Sequence, residues 1–502
     1  MSATPAFRPG HLVMVDIPGK TLDAETAAFL REHEIRAVCL FRKNLGSEDE
    51  IRQLTADLRE VMGPLGLIGI DQEGGSVIRA TSVPQAPAAM ALGAIGDEAL
   101  AEEVGAAVAR SLRHLGINWN FAPVLDVNNN PANPVIGERS FGEDPERVIR
   151  LARAWMRGSL REGVACCVKH FPGHGDTHVD SHHALPTVDK SLAALEALEL
   201  RPFRALASGH AGDLAAPAVM TAHIVYPQLD AEHPATLSKT ILGGVLRQNL
   251  GFGGVVITDA LMMKAVFERY GYARASVLAL QAGADMPLAQ GSRTEQAEVL
   301  DAIAAALVAG QLSLAEVQAA AARIETLARA YPLARRDYAA GQREADDALM
   351  HRAWALSLCA LRGATPPAAE RPLRVITQAS VASDGVSEAG LPVEAVAALF
   401  DAHFRDVEFL HLPKLSALGA ADLPRDGRLN VLVSNQRARY GAAAAEAAVD
   451  LHLAIWNPFQ VLDLPQAPAV VTWGYAEGAM SALRAWLQGR QSATAQPPVT
   501  LN

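Results

Sequence analysis

The chain is 502 residues long, more than one hydrophobic core usually supports, so two domains are expected. Half of its residues are apolar, and a formal net charge of −11 with a pI near 5.8 excludes the basic face that nucleic acid or an anionic membrane surface requires. The expected partner is neutral or small.

Residues 1–9 lack a basic segment followed by a long apolar stretch, which reads as no signal peptide, and no run reaches transmembrane length. The cysteines at 39, 166, 167 and 359 have no disulfide-framework spacing, which suits a reducing compartment. The cytoplasm is the expected location.

Through the first two-thirds of the chain, short β-rich apolar runs alternate with helix-period segments, the pattern of parallel βα units. Eight strand candidates lie at 12–17, 37–41, 65–70, 119–127, 164–170, 218–223, 254–259 and 284–288. Helices are expected between them, among others at 98–115, 145–162 and 191–206. Eight repeats predict an α/β fold of the (β/α)8 barrel type rather than an open sheet, with the chemistry at the C-terminal strand ends. Asp71, Asp126, Lys169 with His170, His223 and Asp259 fall at such ends. Taken singly, each is a helix cap or a structural hydrogen-bonding residue. Five at equivalent positions point to a shared site.

Beyond the barrel, expected over 1–340, residues 312–331 read as a long helix and 341–370 as a helical connector. A second α/β pattern occupies 371–502, a smaller doubly wound sandwich domain. Its strand candidates are 373–376, 407–412, 430–433, 451–456 and 469–473, with helices at 393–401, 442–449 and 476–487. It contains no phosphate loop.

Residues 169–186 read KHFPGHGDTHVDSHHALP, with histidines at 170, 174, 178, 182 and 183. Four-residue spacing binds zinc when a helix aligns two histidines, but Pro172, Gly173 and Gly175 argue against a helix. Metal-dependent barrel hydrolases also usually carry two histidines at the end of strand one, where this chain has Val15, Asp16 and Ile17. No metal and no cofactor are expected. The glycines suggest a loop able to close over a substrate. Asp180 and His182, one residue apart, share a face of an extended segment. A carboxylate there fixes the imidazole and favours its protonated form, as a general acid near neutral pH requires. Asp259 ends the apolar run 254–258, where a nucleophile or general base would sit. Carboxylate attack on an anomeric carbon, with a second group protonating the leaving oxygen, is glycosidase chemistry.

The motifs IDQEGG at 70–75, NFAPVLDV at 120–127, NPVIGERSFG at 133–142, KHFPGHG at 169–175 with Asp180-Ser181-His182, and TDALMM at 258–263 resemble glycoside hydrolase family 3, in its β-N-acetylglucosaminidase branch. The resemblance implies a retaining mechanism with Asp259 as nucleophile and His182, oriented by Asp180, as acid/base. It implies that Asp71, Arg79, Arg139, Lys169 and His170 hold the hydroxyls of a terminal N-acetylglucosamine. Carboxylates accept from sugar hydroxyls while guanidinium and ammonium groups donate. Ser76 departs from the pattern, since many relatives carry arginine after the paired glycines. The segments 454–458 and 470–475 resemble the α/β sandwich domain of longer members, here expected to be mainly structural.

The function expected is that of a cytoplasmic exo-β-N-acetylglucosaminidase acting on carbohydrate, with peptidoglycan fragments as substrate by family inference and a monomer as the working expectation. A phosphorylase using the same residues is the nearest rival. A histidine repels incoming phosphate less than a carboxylate does. A non-catalytic amino-sugar binder is the rival from another class. It is disfavoured because nucleophile and acid are both present.

Overall fold

The computed structural model describes residues 7–180, 185–209, 211–383, 385–401 and 403–501. Eight strands form its first sheet: β1 (Met14–Asp16), β2 (Ala37–Leu40), β3 (Leu67–Ile70), β4 (Trp119–Asn120), β5 (Ala165–Phe171), β6 (Ala218–Thr221), β7 (Val255–Ile257) and β8 (Leu288–Ala289). Every pairing is parallel, in chain order from β1 to β7, with β8 returning to β1. A bridge between Ile257 and Met286 closes the ring. There the Asp285 N–H donates to the Val256 carbonyl at 2.8 Å and the Thr258 N–H to the Met286 carbonyl at 3.1 Å. This is the expected (β/α)8 barrel.

Two expected elements differ for reasons visible in the chain. The fourth strand candidate, 119–127, shrinks to two residues because Pro123 has no N–H to give the ladder, and beyond it only Val124 bridges Lys169. The helix expected at 191–206 divides into Leu192–Ala197 and Leu200–Leu206. Its break falls at Leu198 (φ −135°, ψ −76°), the residue whose carbonyl the ring of Pro202 would strike in a continuous helix.

Helices Glu98–His114 and Pro145–Arg161 begin where acidic caps meet orphan N–H groups. Asp97 accepts from the Ala99 and Leu100 N–H groups; Asp144 accepts from Glu146, with Pro145 at the first helical position. The two helices approach backbone to backbone. A Cβ on Gly158 would lie 2.0 Å from the Glu102 carbonyl oxygen, and one on Gly105 would lie 2.1 Å from that of Trp155.

The second sheet comprises β9 (Cys359–Leu361), β10 (Leu373–Gln378), β11 (Val407–Leu412), β12 (Leu429–Val433), β13 (Leu451–Ala454) and β14 (Ala469–Val471), ordered β9-β14-β13-β12-β10-β11. Five strands are parallel and β9 runs antiparallel at the edge. Alternation gives each face its own core. Val375, Val431 and Val433 pack with Trp354 of helix Gln342–Ser357 and Leu483 of helix Glu477–Leu487. Ile376 and Leu432 pack with Leu415, Tyr440 and Ala444 on the opposite side. Strand β9 lies within the stretch read as a helical connector; three residues carry no periodic signal. The helix expected at 442–449 is a 3-10 turn over Ala442–Glu446, because an alanine run offers propensity but little apolar area to hold a full helix on the sheet.

The barrel and the second sheet share one core. Ile78, Ala88, Met90, Ala91 and Ala94 from the barrel side join Trp354, Trp473, Leu483 and Leu501. The four cysteines are buried and free. Among the described residues no helix is long and apolar enough to cross a membrane.

Gly158→Ala sets two effects against each other. Helix propensity favours alanine by about 1 kcal/mol, while overpacking against backbone that cannot yield costs about 1–3 kcal/mol or more. A net destabilisation is expected in thermal unfolding; a raised melting temperature would show that the helices can part.

Candidate active site

The C-terminal strand ends surround a cavity of about 570 Å³. Its wall includes Asp71, Arg79, Arg139, Lys169, His170 and Asp259, six of the eight residues to which the family resemblance gives a role. Asp180, buried at 8% exposure, is not among the lining residues. His182 lies outside the described residues.

The segment after β3 explains how Asp71 and Arg79 come together. Gln72–Gly74 and Val77–Ile78 form a hairpin, and its turn needs the paired glycines. Gly74 has φ +112° and Gly75 φ +62°, and a Cβ on Gly74 would lie 2.3 Å from the Pro87 carbonyl oxygen. Gln72 locks the hairpin from inside: its Oε1 accepts from the Arg79 and Ala80 N–H groups, both at 3.0 Å. Asn120 at the end of β4 accepts from the Gln72 N–H and donates to the Gln72 carbonyl, again at 3.0 Å. Asn133 ties two loops together, donating to the carbonyls of His174 at 2.8 Å and Gly175 at 3.0 Å.

Lys169 projects from β5 with its side chain 2% exposed. A buried ammonium needs compensation, and two carboxylates supply it: Asp71 Oδ1 and Glu73 Oε1, each 2.6 Å from Nζ. Glu73 also takes a two-point grip from Arg139, Nε and Nη2 each donating at 2.8 Å. Burial alone would raise the Glu73 pKa, but the charges of Arg139 and Lys169 outweigh it and hold the carboxyl well below the usual range. Burial likewise disfavours the charged form of Lys169, yet Asp71 and Glu73 push its pKa up.

Beneath this layer Asp126 is fully buried. It lies 2.7 Å from His170 Nδ1 and accepts from the His174 N–H at 2.6 Å. With Nδ1 facing Asp126, His170 has its Nε2 3.4 Å from Arg139 Nη2. His174 also lines the cavity; burial, then the neighbouring His170, lowers its pKa to about 4. His223, another strand-end residue, is buried behind the wall, its Nδ1 2.8 Å from Thr236 Oγ1 and its Nε2 3.0 Å from the Ala260 carbonyl. Asp126 and His223 therefore support the site without lining it.

Asp259 stands two residues beyond β7 and is half-buried. Its Oδ1 accepts from the Ala260 N–H at 2.8 Å. Met220, Met262 and Leu288 add apolar wall to the cavity. Among the described residues no cluster of histidine, cysteine and carboxylate groups could hold a metal ion.

Glu73 and the second domain's contribution were missed by the sequence reading. Glu73 had a signal, since Asp71 and Glu73 two apart in an extended segment face the same way. Gly385 and Val386, from the loop after β10, also line the cavity, and Glu388 pairs with Arg79 Nη1 at 2.8 Å. The second domain thus forms part of the wall, which differs from a purely structural role. Ser76, the departure from the motif, is 2% exposed, hydrogen-bonded to Glu138 and 3.3 Å from Ser387 Oγ. It belongs to the domain boundary rather than to the rim of the cavity.

A family model described as the glycosyl hydrolase family 3 N terminal domain matches residues 8–327. A beta-hexosaminidase of Chromobacterium violaceum is 40% identical over 306 residues, 60% of this chain and 83% of the relative. One from Neisseria meningitidis serogroup C is 39% identical over 289 residues, 56% of this chain and 78% of the relative. Among solved structures, a glycoside hydrolase family 3 beta-N-acetylglucosaminidase from a Paenibacillus species is 33% identical with a TM-score of 0.86, covering 100% of this chain and 99% of that one.

Two predictions follow from the electrostatics. Glu73→Gln keeps the shape but strips two buried cations of their shared counter-charge, so denaturant unfolding should report a loss of about 3–5 kcal/mol; a loss under about 1 kcal/mol would mean that water reaches the cluster. Separately, His174, and in the second domain His452, whose pKa burial lowers to about 3, stay neutral in the fold while an unfolded histidine protonates near pH 6.5. Below that pH the unfolded chain binds protons that the fold excludes, so stability is complete above about pH 6.5 and falls as pH drops toward 4. Replacing both histidines with glutamine should flatten that slope in a pH series of melting curves; an unchanged slope would assign it elsewhere.

Proposed function

The chain belongs to glycoside hydrolase family 3, and on that premise we propose that it is an exo-acting β-N-acetylglucosaminidase that retains anomeric configuration. The observation that carries the reading is the cavity in which one strand-end carboxylate, Asp259, shares a wall with Asp71, Arg79, Arg139, Lys169 and His170. The chain is a glycosidase of this family.

The terminal sugar enters with its hydroxyls toward the charged wall. Asp71 accepts from them while Lys169, Arg139 and Arg79 donate, and the low exposure of these groups makes each charge-assisted bond stronger than it would be in water. Because Glu73 and Asp126 already fix Arg139, Lys169 and His170, little side-chain freedom is lost on binding. Asp259 attacks the anomeric carbon, forming a C–O bond as the bond to the leaving oxygen breaks. His182 protonates that oxygen. In the second half, His182 takes a proton from water, whose oxygen attacks the same carbon and releases Asp259 as carboxylate. Asp180 orients the imidazole and favours its protonated form for the first half. The DSH spacing of the sequence supports these last two roles.

A peptidoglycan fragment as natural substrate and the cytoplasm as the place of action extend this reading through the family resemblance. The compact cavity supports removal of one terminal sugar at a time.

The test is turnover of an aryl β-N-acetylglucosaminide by the wild type and by Asp259→Asn, in phosphate-free buffer, with the first-formed anomer read by NMR. The wild type should release the β-anomer of the free sugar, and the variant should lose several orders of magnitude in kcat, on the scale of removing a covalent nucleophile. Equal activity of the two proteins would remove Asp259 from its role. Turnover that requires inorganic phosphate and yields a sugar 1-phosphate would replace hydrolysis by phosphorolysis.

A further inference from the structure

Glu388 comes from the second domain, yet its side chain ends on the sugar-facing machinery of the barrel. Its backbone is pinned from three sides. The Glu388 N–H donates to the Ser76 carbonyl at 3.1 Å, and Tyr475 Oη donates to the Glu388 carbonyl at 3.0 Å. Two residues earlier, Val386 packs with Val77, Val135 and Ile136. The carboxylate therefore leaves a fixed backbone, and its Oε1 accepts from Arg79 Nη1 at 2.8 Å.

Arg79 has a side chain only 10% exposed and a backbone held by Gln72. Its guanidinium stands between two carboxylates at unequal distances: 2.8 Å to Glu388 and 4.0 Å from Nη2 to Asp71 Oδ2. Asp71 already receives Lys169 on its other oxygen at 2.6 Å. Were Glu388 absent, the buried guanidinium would have Asp71 as the nearest carboxylate it pairs with and would close the 4.0 Å gap onto it. Asp71 would then be gripped on both oxygens by cations, and its capacity to accept from a sugar hydroxyl would fall.

We infer that Glu388 is a positioning residue: it holds Arg79 off Asp71, so that the guanidinium and the carboxylate both remain available to the hydroxyls of the bound sugar. This rests on the reading of the cavity as a sugar subsite. It makes the second domain a determinant of substrate affinity, acting through one ion pair across the domain boundary.

Glu388→Gln keeps the shape and an acceptor oxygen but removes the charge. Expected are a rise in KM for the aryl β-N-acetylglucosaminide and in the dissociation constant of free N-acetylglucosamine, each of about tenfold, with kcat changed far less. Glu388→Asp, which keeps the charge, should recover part of both. In an Arg79→Met background the Glu388→Gln penalty should shrink to less than about twofold, because the group it positions is gone. A merely structural role would instead lower the melting temperature and cost the same with or without Arg79. Unchanged KM and dissociation constant in Glu388→Gln, or an undiminished penalty in the Arg79→Met background, would overturn the inference. The dissociation constant requires no turnover, so it tests Glu388 even if the catalytic roles assigned to Asp259 and His182 fail.

Discussion

Everything in the cavity depends on keeping two cations charged inside a barrel. Lys169 and Arg139 have side chains 2% and 5% exposed, and neither could stay ionised there without a counter-charge at contact distance. Glu73 bonds to both. That requirement reaches back into the backbone. Glu73 can meet Lys169 and Arg139 only if the chain after β3 folds into a hairpin tight enough to need Gly74 and Gly75 in positive φ. It also requires that Asn120 and Gln72 fix the hairpin against β4. A binding wall built this way is rigid before any sugar arrives, so affinity is not spent on ordering it.

The second domain follows from the same geometry. The outer face of the hairpin carries Ile78, and the helix after it carries Met90, Ala91 and Ala94, which are buried only because Trp354, Trp473 and Leu483 cover them. Polar contacts register the two parts at the same place. Glu138, 1% exposed, accepts from Ser76 of the hairpin and from Trp456 Nε1 of the second domain at 3.1 Å. Arg437 donates to the Val135 carbonyl at 2.6 Å and to Ser387 Oγ at 3.3 Å. The loop that carries Val386 into the cavity wall is thereby placed as firmly as the barrel's own loops.

The barrel was legible because its signal is redundant: eight apolar runs alternate with helix-period segments through the first two-thirds of the chain. The five strands from β10 to β14 were legible for the same reason. What escaped was information carried by tertiary partners. β9 is three residues long and exists because β14 offers it an edge. The 191–206 helix had a good apolar face, and Pro202 broke it through a clash four residues away. The residues 442–449 had helix propensity but too little apolar area to hold a full helix on the sheet. In the site, side chains at strand ends were found by position alone, which cannot separate a lining group such as Asp71 from a supporting one such as Asp126 or His223. That distinction depends on whether the side chain points at the cavity or at a neighbouring histidine or hydroxyl. Glu73 was readable in principle from its spacing to Asp71. Glu388 was not, because nothing near it in the chain indicates that Arg79, 309 positions earlier, is its partner.

The charge arrangement also argues for a division of labour within the cavity. Three cations, Arg79, Arg139 and Lys169, meet three carboxylates, Asp71, Glu73 and Glu388, so this cluster is close to neutral as a unit. Under the proposed function, a neutral sugar meets many strong donors and acceptors there without a net field that would attract small ions in its place. Asp259 lies on a different strand end, half-buried, with its Oδ1 accepting from the Ala260 N–H at 2.8 Å. The carboxylates around Lys169 and Arg79 are held where they stand by cations at contact distance. The same residue type thus stands in two settings within one cavity, and the difference lies in the neighbours each strand end supplies.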